Sequence, residues 1–148
     1  MVARRETVVA ASPDEVWDVV SDPAQLPRWW PGVTRVEEAT PESWTSVLSS
    51  PRGKAVRADY TRVEAIPEER IVWRQEVEGS PFERILASAV TTLSLTSEGQ
   101  AGTRATLLLD QKPHGWARFA PIQFRAAGSR QVKGALDGLE ALFEERAP

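Results

Sequence analysis

Hydrophobic and polar residues in the middle of the chain alternate with the spacing that is typical of β-strands. In the segment RIVWRQEV, Ile71, Trp73 and Gln75 occupy every second position. Alternate residues of a strand point to the same face, so these three side chains are expected on the covered side of a sheet. Between residues 33 and 111 the pattern predicts about six strands, and their short connections favour hairpins and an antiparallel sheet.

Before this region the pattern changes to the three- and four-residue spacing of a short helix. The segment SPDEVWDVVSD follows a first strand, and its three valines, Val16, Val19 and Val20, lie on one helical face. Ser12 is a typical N-cap residue and Pro13 a typical first helical residue, which predicts a helix from Pro13 to about Ser21. The prolines that follow divide the next segment into at most one more helical turn and a loop.

The last third of the chain carries one long helical face. Its apolar positions step by four or three residues: Phe124, Gly128, Val132, Leu136, Leu139 and Phe143. This spacing predicts one amphipathic helix from near Ala120 to Glu145, about 40 Å long and able to cross a sheet. Gly134 and Gly138 lower its intrinsic helical stability, so packing against the rest of the protein must hold it.

These elements together predict an α+β domain in which helices cover one face of an antiparallel sheet. The chain has 148 residues, 41% hydrophobic and 26% charged, and we expect a single domain over 1–148. A formal net charge of −3 without a basic run gives no reason to expect nucleic acid or anionic lipid as a partner. The absence of cysteine excludes disulfides and thiolate chemistry and is compatible with the cytoplasm. No stretch has the apolar length of a membrane span or a signal peptide.

Several segments resemble the START-like (SRPBCC) superfamily, in particular its bacterial polyketide cyclase/dehydrase-like branch. They are SPDEVWDVVSDPAQLPRWWPGV, IVWRQEVEG, GTRATLLLD and VKGALDGLEALFEE, which span nearly the whole chain in the order found in that branch. The resemblance implies a helix-grip fold. In this fold a curved antiparallel sheet of about six to seven strands wraps around a long C-terminal helix, with two short helices after the first strand and an apolar cavity inside. The superfamily includes carriers, aromatases/cyclases and hydrolases, so the resemblance implies a pocket rather than one reaction.

Aromatic side chains are the candidates for lining such a cavity, because small-molecule pockets are mostly apolar with a few polar groups. The candidate ligand-binding residues are Trp29, Trp44, Tyr60, Trp73, Gln75, Phe82, Phe119 and Phe124. The alternative is that the aromatic members simply fill the core. Gln75 favours a hollow, since a buried amide needs a partner in protein, water or ligand.

Two of the six tryptophans are adjacent, in the segment LPRWWPGV. Neighbouring side chains point in different directions in helices and in strands, so Trp29 and Trp30 are expected in different environments. The resemblance places an aromatic residue at the first position of the pair, near the cavity entrance. We therefore expect Trp29 to point inward, against the long helix near Phe124, and Trp30 to lie outward at the rim.

Residues for acid–base or metal chemistry are few. His114, the single histidine, lies in the turn-forming segment QKPHGW and is expected to be an exposed loop residue. One histidine, no cysteine and no acidic cluster of calcium-loop spacing predict no metal site. No nucleotide-binding glycine motif is present, and we expect no cofactor.

Three functions are compatible with these residues. The first is binding of a hydrophobic small molecule, such as a lipid or an aromatic or polyketide-like compound. The second is an enzyme of the polyketide cyclase, aromatase or dehydratase type, in which Tyr60, Gln75 or His114 handles protons. The third is an interaction domain whose cavity is filled and vestigial. The protein is expected to be a monomer or a homodimer.

Overall fold

A seven-stranded antiparallel sheet is the main element of the computed structural model, which describes residues 1–50 and 52–144. The strands are Val2–Val9 (β1), Val33–Glu37 (β2), Ser43–Ser49 (β3), Ala55–Ile66 (β4), Arg70–Glu76 (β5), Leu86–Ser97 (β6) and Thr103–Pro113 (β7). The α-helices of these residues are Pro13–Val20 (α1) and Pro121–Glu144 (α2). Short 3₁₀ segments occupy Pro23–Arg28, Pro81–Arg84, Gly99–Ala101 and Gly115–Phe119. The predicted helix-grip fold is confirmed, with α1 and Pro23–Arg28 as its two short helices.

The strands follow one another in space nearly as they do in the sequence. From β2 to β7 each strand pairs with the next one along the chain, and β1 pairs with β7, giving the order β1-β7-β6-β5-β4-β3-β2. Every pair is antiparallel, as the short connections predict. The two edges of the sheet are therefore β1 and β2.

A register shift interrupts the pairing of β4 with β5. Arg62 lies opposite Trp73 and Glu64 lies opposite Val72, so Val63 is an extra residue on β4. Similar shifts occur between β2 and β3 and between β6 and β7. An extra residue bends its strand and increases the local twist, so these shifts help the sheet to curve.

The first helix forms as its sequence predicts. Ser12 is its N-cap and Pro13 its first residue, and its valines at the three- and four-residue spacing are buried. Asp22 then caps the segment Pro23–Arg28 by accepting a hydrogen bond from the Ala24 N–H. This segment turns the chain toward the paired tryptophans that follow it.

The long helix α2 covers the sheet with its apolar face. It packs chiefly on β1 and also on β7. Its buried residues are Gly128, Val132, Ala135, Leu136, Leu139 and Phe143. The observed bounds agree with the predicted helix, whose last predicted residue, Glu145, lies outside the described residues. No helix in the described part of the chain is long and apolar enough to cross a membrane.

Two glycines of α2 lie where residues 29–32, which we call the tryptophan loop, approach the helix. A Cβ atom at Gly138 would collide with the carbonyl oxygen of Trp29, and one at Gly134 would lie 2.8 Å from Cγ of Pro31. Both glycines lower the helix propensity, but their missing side chains allow this close approach. The packing that the sequence required for this helix is therefore provided in part by the tryptophan loop.

The buried residues form a large and a small hydrophobic cluster. The large cluster lies between the sheet and the helices and includes four of the tryptophans, Trp29, Trp30, Trp44 and Trp73. The small cluster contains Val77, Leu86 and Ala89, with Phe82, Ile85 and Phe124 packed against it. Phe82 and Phe124 thus pack apart from the large cluster that holds the four tryptophans.

Candidate ligand-binding site

Neighbouring strands bring several of the candidate residues together on the covered face of the sheet. Trp44 on β3 lies opposite Tyr60 on β4, and Tyr60 lies opposite Gln75 on β5. Trp73, two residues before Gln75, lies opposite Thr91 on β6. Opposite residues of antiparallel strands point to the same face with Cβ atoms roughly 5 Å apart, so these side chains form one continuous surface.

A cavity lies between this surface, the segment Pro23–Arg28 and α2. The space between its walls measures about 430 Å³, including the part that is open to solvent. Its enclosed part is narrow, so a ligand with several rings requires the lining side chains to shift. The lining residues are Leu26, Trp30, Val33, Trp44, Ser46, Tyr60, Trp73, Gln75, Ala89, Thr91, Leu109, Gln111 and Gln131. None of these side chains carries a charge, which suits the cavity to uncharged ligands.

Aromatic rings form a continuous series beside the cavity. Trp29 contacts Trp30 edge to face with 5.4 Å between ring centroids, and Trp30 contacts Trp73 in the same way at 5.8 Å. Trp73 contacts Trp44 edge to face at 6.1 Å, and Trp44 stacks on Tyr60 at 5.6 Å. Such pairs add stability beyond the burial of their surface, so this wall is held in a defined geometry.

Two buried donors in the cavity wall have no hydrogen-bond partner among the residues that the structure describes. They are Nε2 of Gln75, whose residue is 8% exposed, and Nε1 of Trp44, which is also buried. An unpaired buried N–H costs about 1 to 3 kcal/mol, and this cost is removed when an acceptor reaches it. The wall therefore has unused donors in surroundings that are otherwise mostly apolar.

Tyr60 adds a neutral phenol to the same wall. Burial raises the pKa of Tyr60 to about 12, because surroundings of low polarity disfavour the phenolate. The hydroxyl group therefore stays protonated at neutral pH. Ser46 and Thr91 are buried hydroxyl-bearing residues of the same lining, so the polar groups of the cavity are neutral as well.

The chain matches one known protein family over nearly its whole length. Residues 1–144 match the profile of a family described as polyketide cyclase / dehydrase and lipid transport. The chain belongs to this family. The resemblance inferred from the sequence is thus confirmed over almost its full length. A search of curated proteins finds no match.

Solved structures of polyketide cyclase-like and START-like proteins share the fold. The di-domain ARO/CYC protein BexL, from the BE-7585A biosynthetic pathway, matches with a TM-score of 0.79 at 24% identity, over 97% of this chain and 46% of BexL. The di-domain ARO/CYC protein StfQ, from the steffimycin pathway, gives 0.77 at 19% identity, over 98% of this chain and 51% of StfQ. A START superfamily protein from Mycobacterium smegmatis gives 0.79 at 14% identity, over 99% of both chains. The chain thus spans about half the length of each di-domain protein, and the likeness at these identities shows the fold.

Half of the candidate residues meet at the cavity of this polyketide cyclase/dehydrase family member. Trp44, Tyr60, Trp73 and Gln75 line it, whereas Trp29, Phe82, Phe119 and Phe124 do not. Phe82 and Phe124 pack in the small cluster instead. Phe119 is 82% exposed, because the segment Gly115–Phe119 turns Ala117 inward and leaves its aromatic residues outside. These four residues therefore lie outside the lining of this cavity.

The structure also differs from the expected arrangement of the paired tryptophans. Both rings are buried, and Trp30, predicted at the rim, is 8% exposed and lines the cavity beside Trp73. Trp29 does contact α2, but its backbone lies against Gly138 and not near Phe124. Because the Trp29 backbone is fixed against the helix and successive side chains diverge, the next ring is turned toward the sheet.

Other cavity residues were missing from the sequence prediction. Ser46, two residues after Trp44, and Gln111, two residues after Leu109, could have been found from the alternation of their strands. Gln131 on α2 could not, because a half-buried polar residue at the side of a helix resembles any surface glutamine. The cavity is therefore richer in amide groups than the sequence indicated.

His114 lies apart from this site. His114 is exposed at the start of the segment Gly115–Phe119, as expected for a turn residue, and its backbone N–H donates to the Ile85 carbonyl at 2.8 Å. Within residues 1–50 and 52–144, no group of three or more His, Asp or Glu side chains is arranged to hold a metal ion.

Proposed function

We propose that the protein binds an uncharged, largely apolar small molecule that carries a hydrogen-bond acceptor, in the cavity between the sheet and α2. The observation that chiefly supports this is the unpaired Nε2 of Gln75 in a wall of aromatic residues. An acceptor oxygen of the ligand would pair with this donor. The rings of Trp30 and Trp73 would bury its apolar part. Lipids and aromatic or polyketide-like compounds have this chemistry.

Binding accounts for the cavity lining better than acid–base catalysis does. A general acid or base works best when its pKa lies near the operating pH. The pKa of Tyr60 is raised to about 12, and His114 does not line the cavity. A cyclase that used this cavity would have to act by holding its substrate in a reactive conformation rather than by proton transfer from these groups.

The open space and the unpaired donors also favour binding over a vestigial interaction domain. A fully packed core normally pairs its buried polar groups, because each unpaired group reduces stability. Here two donors have no partner among the described residues, beside a cavity that opens to solvent. A bound ligand would supply an acceptor for these donors and van der Waals contacts for the side chains that line the open space.

The experiment is native mass spectrometry of the purified protein with extraction of bound molecules, followed by titration with Nile red. Nile red is uncharged, apolar and carries a carbonyl acceptor. We expect one molecule per chain, admitted by a shift of the lining side chains. We also expect quenching of tryptophan emission, because Trp30, Trp44 and Trp73 line the cavity.

A pair of matched variants locates the probe. Ala89→Phe places a large ring in the cavity, whereas Ala127→Phe places the same ring on the exposed side of α2. We expect Nile red binding to be lost in the first variant and kept in the second, with circular dichroism to verify folding. If Ala89→Phe does not fold, Ala89→Leu provides a smaller obstruction. Equal binding by the folded cavity variant and the wild type would contradict the proposal, as would an absence of stoichiometric binding.

A further inference from the structure

Three large apolar side chains protrude from the surface where β7 leads into α2. They are Trp116 at 69% exposure, Phe119 at 82% and Ile122 at 80%, and we call them the entry patch. They lie three residues apart on the segment Gly115–Phe119 and the first turn of α2. Single exposed apolar residues are ordinary, but a group of three that includes two aromatic rings indicates an interaction surface.

The chain around the entry patch is basic although the protein as a whole is acidic. Residues 111–136 contain no Asp or Glu, against a formal net charge of −3 for the whole chain. The basic residues of this stretch are Lys112, Arg118, Arg125, Arg130 and Lys133, all of them exposed. They are spread over a strand end, a 3₁₀ segment and a helix, which is why the sequence shows no basic run.

Most of these cations are also free of carboxylate partners. On the strands, Arg35 and Arg57 pair with Glu37, and Arg74 pairs with Glu76. In the basic stretch only Lys133 forms an ion pair with a described residue, at 2.7 Å from Asp137. The Arg118 guanidinium instead lies 5.7 Å from the centre of the Phe119 ring. Four of the five cations in the stretch 111–136 therefore present positive charge that no described carboxylate neutralises.

We propose that the entry patch and its basic surroundings dock the protein on an anionic lipid bilayer. All three side chains are more than two thirds exposed, which suits a bilayer, because a bilayer accepts apolar side chains without a matching shape. Tryptophan and other apolar side chains enter the interfacial region, while Lys and Arg interact with anionic headgroups. This proposal is independent of ligand binding in the cavity.

The charge distribution disfavours a second copy of the chain as the occupant. A symmetric dimer through the entry patch would bring the basic stretch of one copy against that of the other. With no acidic residue in this stretch, the contact would place like charges together. An acidic protein would complement the positive charge of the basic stretch equally well. It would not account for the three exposed apolar side chains of the entry patch.

The experiment is cosedimentation of the full chain with vesicles of phosphatidylcholine alone or of phosphatidylcholine mixed with phosphatidylglycerol. We expect binding to the mixed vesicles, a much weaker signal with phosphatidylcholine alone, and weakening at high salt, which screens the charges. Absence of binding to the mixed vesicles at low salt would overturn the proposal, as would equal binding to both compositions.

Variants separate the apolar and the charged contributions. The triple variant Trp116→Ala/Phe119→Ala/Ile122→Ala should lose vesicle binding at least roughly tenfold, while Val63→Ala, an exposed valine on β4, should not. Arg118→Gln/Arg125→Gln should weaken binding by roughly fivefold per charge. Arg4→Gln/Arg74→Gln, with the same net charge but on strands β1 and β5, is the matched control.

Two outcomes would assign the entry patch to another partner. Full vesicle binding by the triple variant, with loss only in Arg118→Gln/Arg125→Gln, would indicate a purely electrostatic surface that an acidic protein could fill. A dimer in light scattering that the triple variant converts to a monomer would identify the patch as a contact between two copies. Either result overturns the proposal and leaves the cavity proposal unaffected.

Discussion

The carbonyl oxygen of Trp29 lies directly against Gly138 of α2, too close to leave room for a Cβ atom. One helical turn earlier, Gly134 faces Pro31 in the same way. These two contacts fix the tryptophan loop against the helix. They also determine that the next ring, Trp30, is directed to the cavity and contacts Trp73.

The first prediction concerns the glycines of α2. Gly138→Ala should lower the free energy of unfolding by roughly 1 to 3 kcal/mol, because the new methyl group meets rigid backbone that must shift. Gly128→Ala is the matched control, since its Cβ would lie at an ordinary 3.4 Å from Oε1 of Gln111. The control should be neutral or more stable by up to about 1 kcal/mol from helix propensity. Urea denaturation measures both, and equal effects would show that the loop does not press on α2.

The second prediction separates the paired tryptophans by function rather than by stability. Both rings are buried, so Trp29→Ala and Trp30→Ala should each cost roughly 3 to 5 kcal/mol in the free energy of unfolding. Nile red affinity should fall strongly for Trp30→Ala, whose ring lines the cavity, and little for Trp29→Ala. Denaturant unfolding and fluorescence titration test the two parts. Loss of affinity in Trp29→Ala alone would restore the assignment made from the sequence.

The third prediction tests the unpaired donor of Gln75. Gln75→Met removes the buried amide with little change in shape, so stability should be unchanged or higher by about 1 kcal/mol. Affinity for Nile red should fall roughly three- to tenfold, because its carbonyl loses a donor. Affinity for diphenylhexatriene, an apolar probe without an acceptor, should be kept.

The control for this variant is Gln123→Met, at an exposed position of α2, which should change neither affinity. Equal losses for both probes in Gln75→Met would attribute the effect to cavity shape and not to the hydrogen bond.

The fourth prediction uses the single tyrosine of the chain. Burial raises the pKa of Tyr60 to about 12, against 10.0 for the ordinary group. The midpoint of its phenolate absorbance should therefore lie near pH 12 in the folded protein. Between pH 10 and about pH 12, the Tyr60 hydroxyl ionises in the unfolded chain but stays protonated in the native one. Stability is therefore fully present below pH 10 and falls by about 2 kcal/mol as the pH rises toward 12. Tyr60→Phe should lose less stability over the same range in denaturant titrations, whereas a phenolate midpoint near 10 would mean that the ring is accessible to water.

The secondary structure could be predicted because it depends on local spacing. The alternation around Trp73 placed Gln75 on the covered face, and the spacing of the last third gave α2 to within one residue at its N-terminus. Pro13 likewise marked the first residue of α1, and Ser12 occupies the N-cap position without a side-chain cap hydrogen bond. These signals reside within a few neighbouring residues, so no tertiary information is needed.

The sequence by itself thus determined the elements, the antiparallel pairing of consecutive strands and the face of β5 that carries Trp73 and Gln75. Only the tertiary structure decided which aromatic residue outside the strands reaches the cavity. Trp30 enters it, while Phe119 remains exposed. The reason is that loops and 3₁₀ turns have no fixed repeat relating position to direction. Their side chains are oriented by distant contacts, such as Trp29 against Gly138, whose two residues are far apart in the sequence.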